Sequence, residues 1–232
     1  AIATIRPSDC SLLTKSSLRT VRLMTCSSSL VDDLRPLILD TSVLINIHAS
    51  THGGRILVAL PNEILVPEIV ATELKHEPSK ANGEYQFIQD LAAKGKLQIA
   101  TLNEFEYEVY ASLVSGNSSL GDGEAATIAI AACRQLLPVI DERKGRQQAQ
   151  EHCYGVIPAW SLDLVRHPHV VETLGPTESI DALFLALRDG RMRIHEDHCN
   201  HVVDLIGIQR ALECNSLPGF KARRQEWLAN AR

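Results

Sequence analysis

Aromatic side chains are scarce in this chain, at 4% of 232 residues. The core must therefore be built mostly from Leu, Ile, Val and Ala. Scarce rings also argue against a protein that reads single strands chiefly by base stacking. The six cysteines, at positions 10, 26, 133, 153, 199 and 214, form no CxxC pair. That argues against a zinc ribbon and a thioredoxin-type motif. Free thiols in a reducing cytoplasm are the expectation. Long apolar runs are missing too. The longest, Ala125–Cys133, has nine residues including a Thr, against the roughly 20 that span a bilayer. No membrane partner is expected. Nor is there a basic excess: 23 basic side chains face 28 acidic ones, for a net charge of −5. A protein that merely coats nucleic acid is usually basic. An enzyme that gathers carboxylates around metal ions need not be.

What is present describes a globular chain. Apolar residues at 45% and charged residues at 22% exclude wholesale disorder and fibrous classes. A chain of this length buries about 70% of its unfolded surface without a disulfide or metal staple. Residues 1–23 are rich in Ser, Thr and Arg, without an amphipathic period or a secretory apolar core. Three readings stay open: the chain starts at Met24 and 1–23 is a gene-calling artefact, the segment is a natural arm, or it is a targeting sequence.

Strand-like and helix-like segments alternate from residue 36 onward. Leu37–Asp40 reads as a buried parallel strand because both faces are apolar. Further strands are expected at 64–66, 97–102, 137–141 and 155–158. Helices are expected over 41–48, around Ile56–Leu60, from Pro67 as first helical residue to Pro78, and over 82–94, 104–115, 124–135 and 142–153. A Gly-, Ser- and Asn-rich linker covers 115–123. This alternation predicts α/β architecture with a parallel sheet. Gly175-Pro176 marks a change, after which 180–188 and 201–213 read as helices of a tail. The expected division is an extension over 1–35, a main domain over 36–175 and a helical tail over 176–232.

Acids fall where such a sheet collects ligands, beyond the carboxyl ends of its strands. Asp40 and Asp141 each end a buried strand. Either could also be a helix cap. At 100° per residue, Glu73 falls between Ile69 and Val70 on the apolar stripe of its helix. An inward carboxylate needs a partner, a cation or a proton; an edge-of-stripe salt bridge is the plain alternative. Glu77 falls on the same side, at a frayed end. Asp122 and Glu124 open an Ala-rich helix that is buried nearly all round, where capping and dipole effects are the structural alternative. Acids near one sheet edge suit hard cations such as Mg²⁺, which bind through one or two carboxylates and keep several waters. A pair of such ions can hydrolyse a phosphodiester.

Four segments, LILDTSVLINI, VPEIVATEL, LGDGEAATIAIA and PVIDERKGR, occur in this order between residues 37 and 146. Together they resemble the PIN-domain nucleases, and the last two look most like the VapC-like toxin ribonucleases of toxin–antitoxin modules. The resemblance covers about residues 36–160. It implies a three-layer α/β/α fold with a central parallel sheet, here with a C-terminal helical tail. It implies Mg²⁺- or Mn²⁺-dependent hydrolysis of RNA that leaves 5′-phosphate and 3′-hydroxyl ends. By position in the motifs, Asp40, Glu73, Glu124 and Asp141 match the family's catalytic, metal-holding acids, with Asp122 a further ligand at a variable position. Ser42 matches a hydroxyl that holds a carboxylate or water. Arg143 and Lys144 follow Asp141 and could meet phosphate, or be a solvated helix start. The partners so implied are an RNA substrate, a protein antitoxin and a second copy of the chain in a homodimer. The tail after 176 has no counterpart in the minimal toxins.

Two rival readings fit parts of the chain. A haloacid-dehalogenase-type phosphatase wants a second Asp at position 42, where this chain has Ser. A non-catalytic PIN-like module held in a complex through its tail does not need the full acid set. His195, His198, Cys199 and His201 could offer zinc ligands, but no second cluster has the right spacing, so a solvated helix start is expected. Lys221, Arg223 and Arg224 read as a basic, solvated terminus, with an RNA or antitoxin contact as the alternative.

Overall fold

Leu37–Leu39 forms β1, the inner strand on which the architecture turns, and all three residues are buried. The computed structural model describes residues 30–76, 79–116 and 120–230. The readings of residues 1–23, Met24, Glu77 and Pro78 fall outside them. In chain order β1 is followed by α1 (Thr41–Ala49), α2 (Gly53–Ala59), β2 (Ile64–Pro67), α3 (Glu68–Glu73), α4 (Ser79–Asn82), α5 (Glu84–Ala93), β3 (Gln98–Ala100) and α6 (Glu104–Ser115). Next come α7 (Asp122–Arg134), β4 (Leu137–Val139), α8 (Arg143–His152), α9 (Ser161–Val165) and α10 (Pro168–Leu174). The chain then continues through α11 (Pro176–Arg188), α12 (Glu196–Ile206), α13 (Ile208–Ala211) and α14 (Phe220–Asn230).

The strands are all parallel, in the order β3-β2-β1-β4. From β1 the chain steps outward to β2 and β3, then crosses back to β4 on the other side of β1. Right-handed crossovers in opposite directions put their helices on opposite faces. This gives the expected α/β/α layering. Helices α1, α2, α9 and α11 pack around one another. On the other side α7 is central, touching β1, β2 and β4 as well as α3, α6 and α8. Its run of Ala and Ile is buried from Ala125 to Ala131, because small side chains let a helix lie close to a sheet.

Several elements differ from expectation. Pro67 is the last residue of β2, not the first of a helix, and α3 ends at Glu73. The expected strand over 155–158 shrinks to a single bridge, Val139 with Ala159. The helix expected over 201–213 breaks at Gly207, whose φ of 85° lies in the left-handed region that glycine tolerates. The helices after residue 176 share the main core: Ala182, Leu183 and Leu187 of α11 and Val202 and Ile206 of α12 are buried in it.

One half-buried ion pair pins α6 to α7, with Glu106 inside and Arg134 at the surface. Glu106 is fully buried and completes a capping box with Asn103. Arg134 of α7 grips it through two hydrogen bonds, of 2.7 and 2.9 Å, which holds its carboxyl below the usual range. Removing one partner of such a pair strands the other. Arg134→Met should therefore lower the unfolding free energy by about 1–2 kcal/mol in urea titration, because Glu106 loses its partner inside while Arg134 is screened by solvent. A change within the scatter of a surface substitution would contradict the role given to this pair.

Candidate active site

The order 3-2-1-4 reverses between β1 and β4, and such a switch point opens a crevice at the carboxyl ends. Asp40 leaves β1 there and Asp141 leaves β4. Both are 3% exposed. Asp40 caps α1 and accepts hydrogen bonds on Oδ2 from the Ser42 hydroxyl at 2.7 Å and the Ser42 amide at 3.3 Å. Asp141 accepts from the Ser161 amide at 2.8 Å on Oδ1, and on Oδ2 from the Ser161 hydroxyl and the Asn46 amide nitrogen, both at 2.6 Å. These partners are neutral. They aim the carboxylates without cancelling their charge.

Glu73 and Glu124 reach the crevice from the α7 side. Glu73 is half-buried and accepts from the Thr41 hydroxyl and, at 2.9 Å, from the Gly123 amide. Its helix thereby touches both the residue after Asp40 and the residue before Glu124. Gly123 is required by this closeness: a Cβ there would lie 2.6 Å from both the Glu73 carboxylate and the Thr41 hydroxyl. Gly145 plays the same part for Glu124, since a Cβ would collide with the Glu124 carboxylate and with Ile140. Glu124 Oε1 is buried and has no hydrogen-bond partner among the described residues.

Burial pushes all three inner acids toward their neutral forms. Asp40 and Asp141 rise to about 6, chiefly by desolvation, and the Asp141 charge adds to the rise at Asp40. Glu124 rises to about 7, first by desolvation and then by repulsion from Asp40 and Glu142, with Lys144 opposing. The acids thus feel one another.

Asp122 stands apart from these groups. It is exposed and accepts a 3.0 Å hydrogen bond from the Tyr110 hydroxyl. Gly121 is the N-cap of α7, so Asp122 is a first-turn acid and not the cap. Ser42 holds the Asp40 carboxylate. Arg143 and Lys144 are exposed at the start of α8, and Arg143 lines a cleft with Asp141. His195 is the N-cap of α12 and accepts from the Asp197 amide through Nδ1. Among the described residues no group of three or more His, Cys, Asp or Glu side chains is arranged to hold a metal ion.

A family model described as a PIN domain (DUF3368) matches residues 36–207. The chain belongs to the PIN-domain family. PIN domains are generally nucleases, and the match includes all four carboxylates together with α11 and α12. No curated protein and no solved structure matches the chain.

Several PIN-site residues are not evident from the motifs alone. Asn46 and Ser161 orient Asp141 from distant parts of the chain, Asn46 across 95 positions and Ser161 across 20. Arg146 is buried and donates to the carbonyls of Ile140, Pro158 and Ala159 at 2.6–3.0 Å, with its guanidinium over the Trp160 ring. It ties the backbone just before Asp141 to the neighbouring Pro158–Ala159 segment. A polar Asn46 inside the apolar run VLINI was the available signal for the first of these.

The raised acids make stability depend on pH. Between the ordinary carboxyl value near 4 and folded values of about 6 to about 7, the native chain binds more protons than the unfolded one. Stability then falls as pH rises through that window and levels off above it. Asp40→Asn removes one such cost. In EDTA at pH 8 it should be more stable than the wild type by about 3 kcal/mol, and near pH 4 the two should coincide. A difference that does not change with pH would contradict the picture of strained carboxylates.

Proposed function

We propose that this PIN domain is a divalent-metal-dependent endoribonuclease. The observation that carries the reading is that buried Asp40 feels the charges of both Asp141 and Glu124 beside the switch point, with Glu124 Oε1 buried and without a hydrogen-bond partner among the described residues. A buried carboxylate oxygen without a donor is costly unless a cation or proton meets it. Asp40, with Asp141 on one side or Glu124 on the other, would hold Mg²⁺ or Mn²⁺ through one or two carboxylates and water, with Glu73 bracing Thr41 and the start of α7 beside them. Bound there, a divalent cation supplies positive charge for activating water and for the charge that builds on phosphate oxygens.

The chain's own residues do the positioning. Ser42, Asn46 and Ser161 lock the two aspartates in place before substrate arrives, so little reorganisation is needed. Arg146 holds the loop that carries Asp141. Arg143 and Lys144 offer cations where a phosphodiester approaches. Selectivity for RNA, a toxin role and a partner antitoxin or second copy are supported by the LGDGEAATIAIA and PVIDERKGR motifs. The buried free thiols Cys153, Cys199 and Cys214 support a reducing, cytoplasmic setting. Among the described residues no helix is long and apolar enough to cross a membrane.

An RNase assay with Mn²⁺ tests the proposal. Asp141→Asn and Glu124→Gln should each lower cleavage by at least about 100-fold, a typical loss for a group acting at the reacting centre. EDTA should abolish it, and the products should carry 5′-phosphates. Undiminished cleavage by either variant, or in EDTA, would overturn the mechanism.

A further inference from the structure

The segment Arg191-Met192-Arg193-Ile194 joins α11 to α12 and lies beside Asp141. Met192 and Ile194 are buried while Arg191 and Arg193 are exposed. Both arginines thus lie on the outer side of the segment. The strip is anchored by the Met192 amide, which donates to the Ala186 carbonyl at 3.0 Å. Arg193 is held at the mouth of the crevice by an ion pair with Glu142, the residue after Asp141.

Two clefts meet here. One, of about 500 Å³, is shared by Ser42, Asn46, Asp141, Arg191 and Arg193. The other, of about 760 Å³, runs from Asp141 between Arg193 and the face of α8 that bears Arg143, Gln147 and Gln150. Those three α8 residues are spaced i, i+4, i+7, which is one helical face. Trp160 and His195 line the same cleft and add ring surface of the kind on which bases stack. Glu142 and Glu196 also line these clefts, beside the arginines; the opposite flank is acidic without any Arg or Lys, lined by Glu68, Glu73 and Asp122 with His76. A phosphate chain is repelled from that flank and attracted to the arginine flank.

We propose that the 191–195 strip and α8 form the two walls of a single-stranded nucleic-acid groove, with Arg191, Arg193 and Arg143 binding backbone phosphates next to the carboxylate site. The helical region after α10 is then part of the substrate site and not an appendage. The placement of the groove rests on the nuclease reading of the carboxylates.

The test separates binding from cleavage. Fluorescence anisotropy of a labelled single-stranded RNA is measured in Mg²⁺ with the full chain carrying Asp40→Asn, so that turnover does not interfere. Arg191→Asn and Arg193→Gln are added together. Asn suits position 191, where φ is 58°. The expected result is about tenfold weaker binding, with a salt slope shallower by about 0.7 for each phosphate that is no longer neutralised. Lys94→Ala with Lys96→Ala, at the amino end of the sheet, removes the same charge and should change affinity less than about twofold. Absent RNA binding, equal losses in both double variants, or tighter binding of an RNA duplex would overturn the groove. Arginine-dependent binding without Mn²⁺-dependent cleavage by the wild type would leave the groove standing and remove the nuclease reading. Cleavage with arginine-independent binding would do the reverse.

Discussion

Carboxylates that are removed from water and oriented by neutral hydrogen-bond donors are the constraint around which this site is built. Asp40 and Asp141 are buried at the ends of neighbouring strands, and Glu124 on α7 feels the Asp40 charge. Their pKa values rise because ionisation there is poorly solvated and mutually repulsive. A chain seeking only stability would replace such groups with apolar ones or pair them with arginine, as it does at Glu106. Keeping them lowers stability at neutral pH, a cost that the proposed cation would offset.

The surrounding structure serves that arrangement. Parallel strands in the order 3-2-1-4 bring two strand ends together at the switch point. The Ala-rich α7 lies close enough to the sheet to deliver Glu124, and Gly123 and Gly145 clear the space its neighbours need. Neutral donors from Ser42, Asn46 and Ser161 orient the aspartates, while Arg146 secures the loop around Asp141 through backbone carbonyls. Charge is then distributed unevenly around the rim, with arginines on the α8 side and acids on the α3 side.

Much of this is legible in the chain because local rules apply to it. Asp40 and Asp141 stand out as acids ending apolar runs, and Glu73 as an acid inside a helical stripe. These are statements about period and burial that need only a few neighbouring residues. Asp122 shares the motif of Glu124 but points to Tyr110, since two steps along a helix turn a side chain by about 200°. Pro67 fits a helix start as well as a strand end, and pairing with β3 decides the matter. Asn46, Ser161 and the Arg191–Ile194 strip act through partners 20 to 95 residues away. No local pattern states such distances; the arginine alternation is readable, its position beside Asp141 is not.

The central claim is that these carboxylates are a cation site. Calorimetric titration of the metal-free wild-type chain with Mn²⁺ near pH 7 tests it most directly. Binding should be seen, should release protons from the raised acids, and should disappear in Glu124→Gln. No heat of binding at millimolar Mn²⁺, or binding that is unaffected by loss of Glu124, would contradict the account.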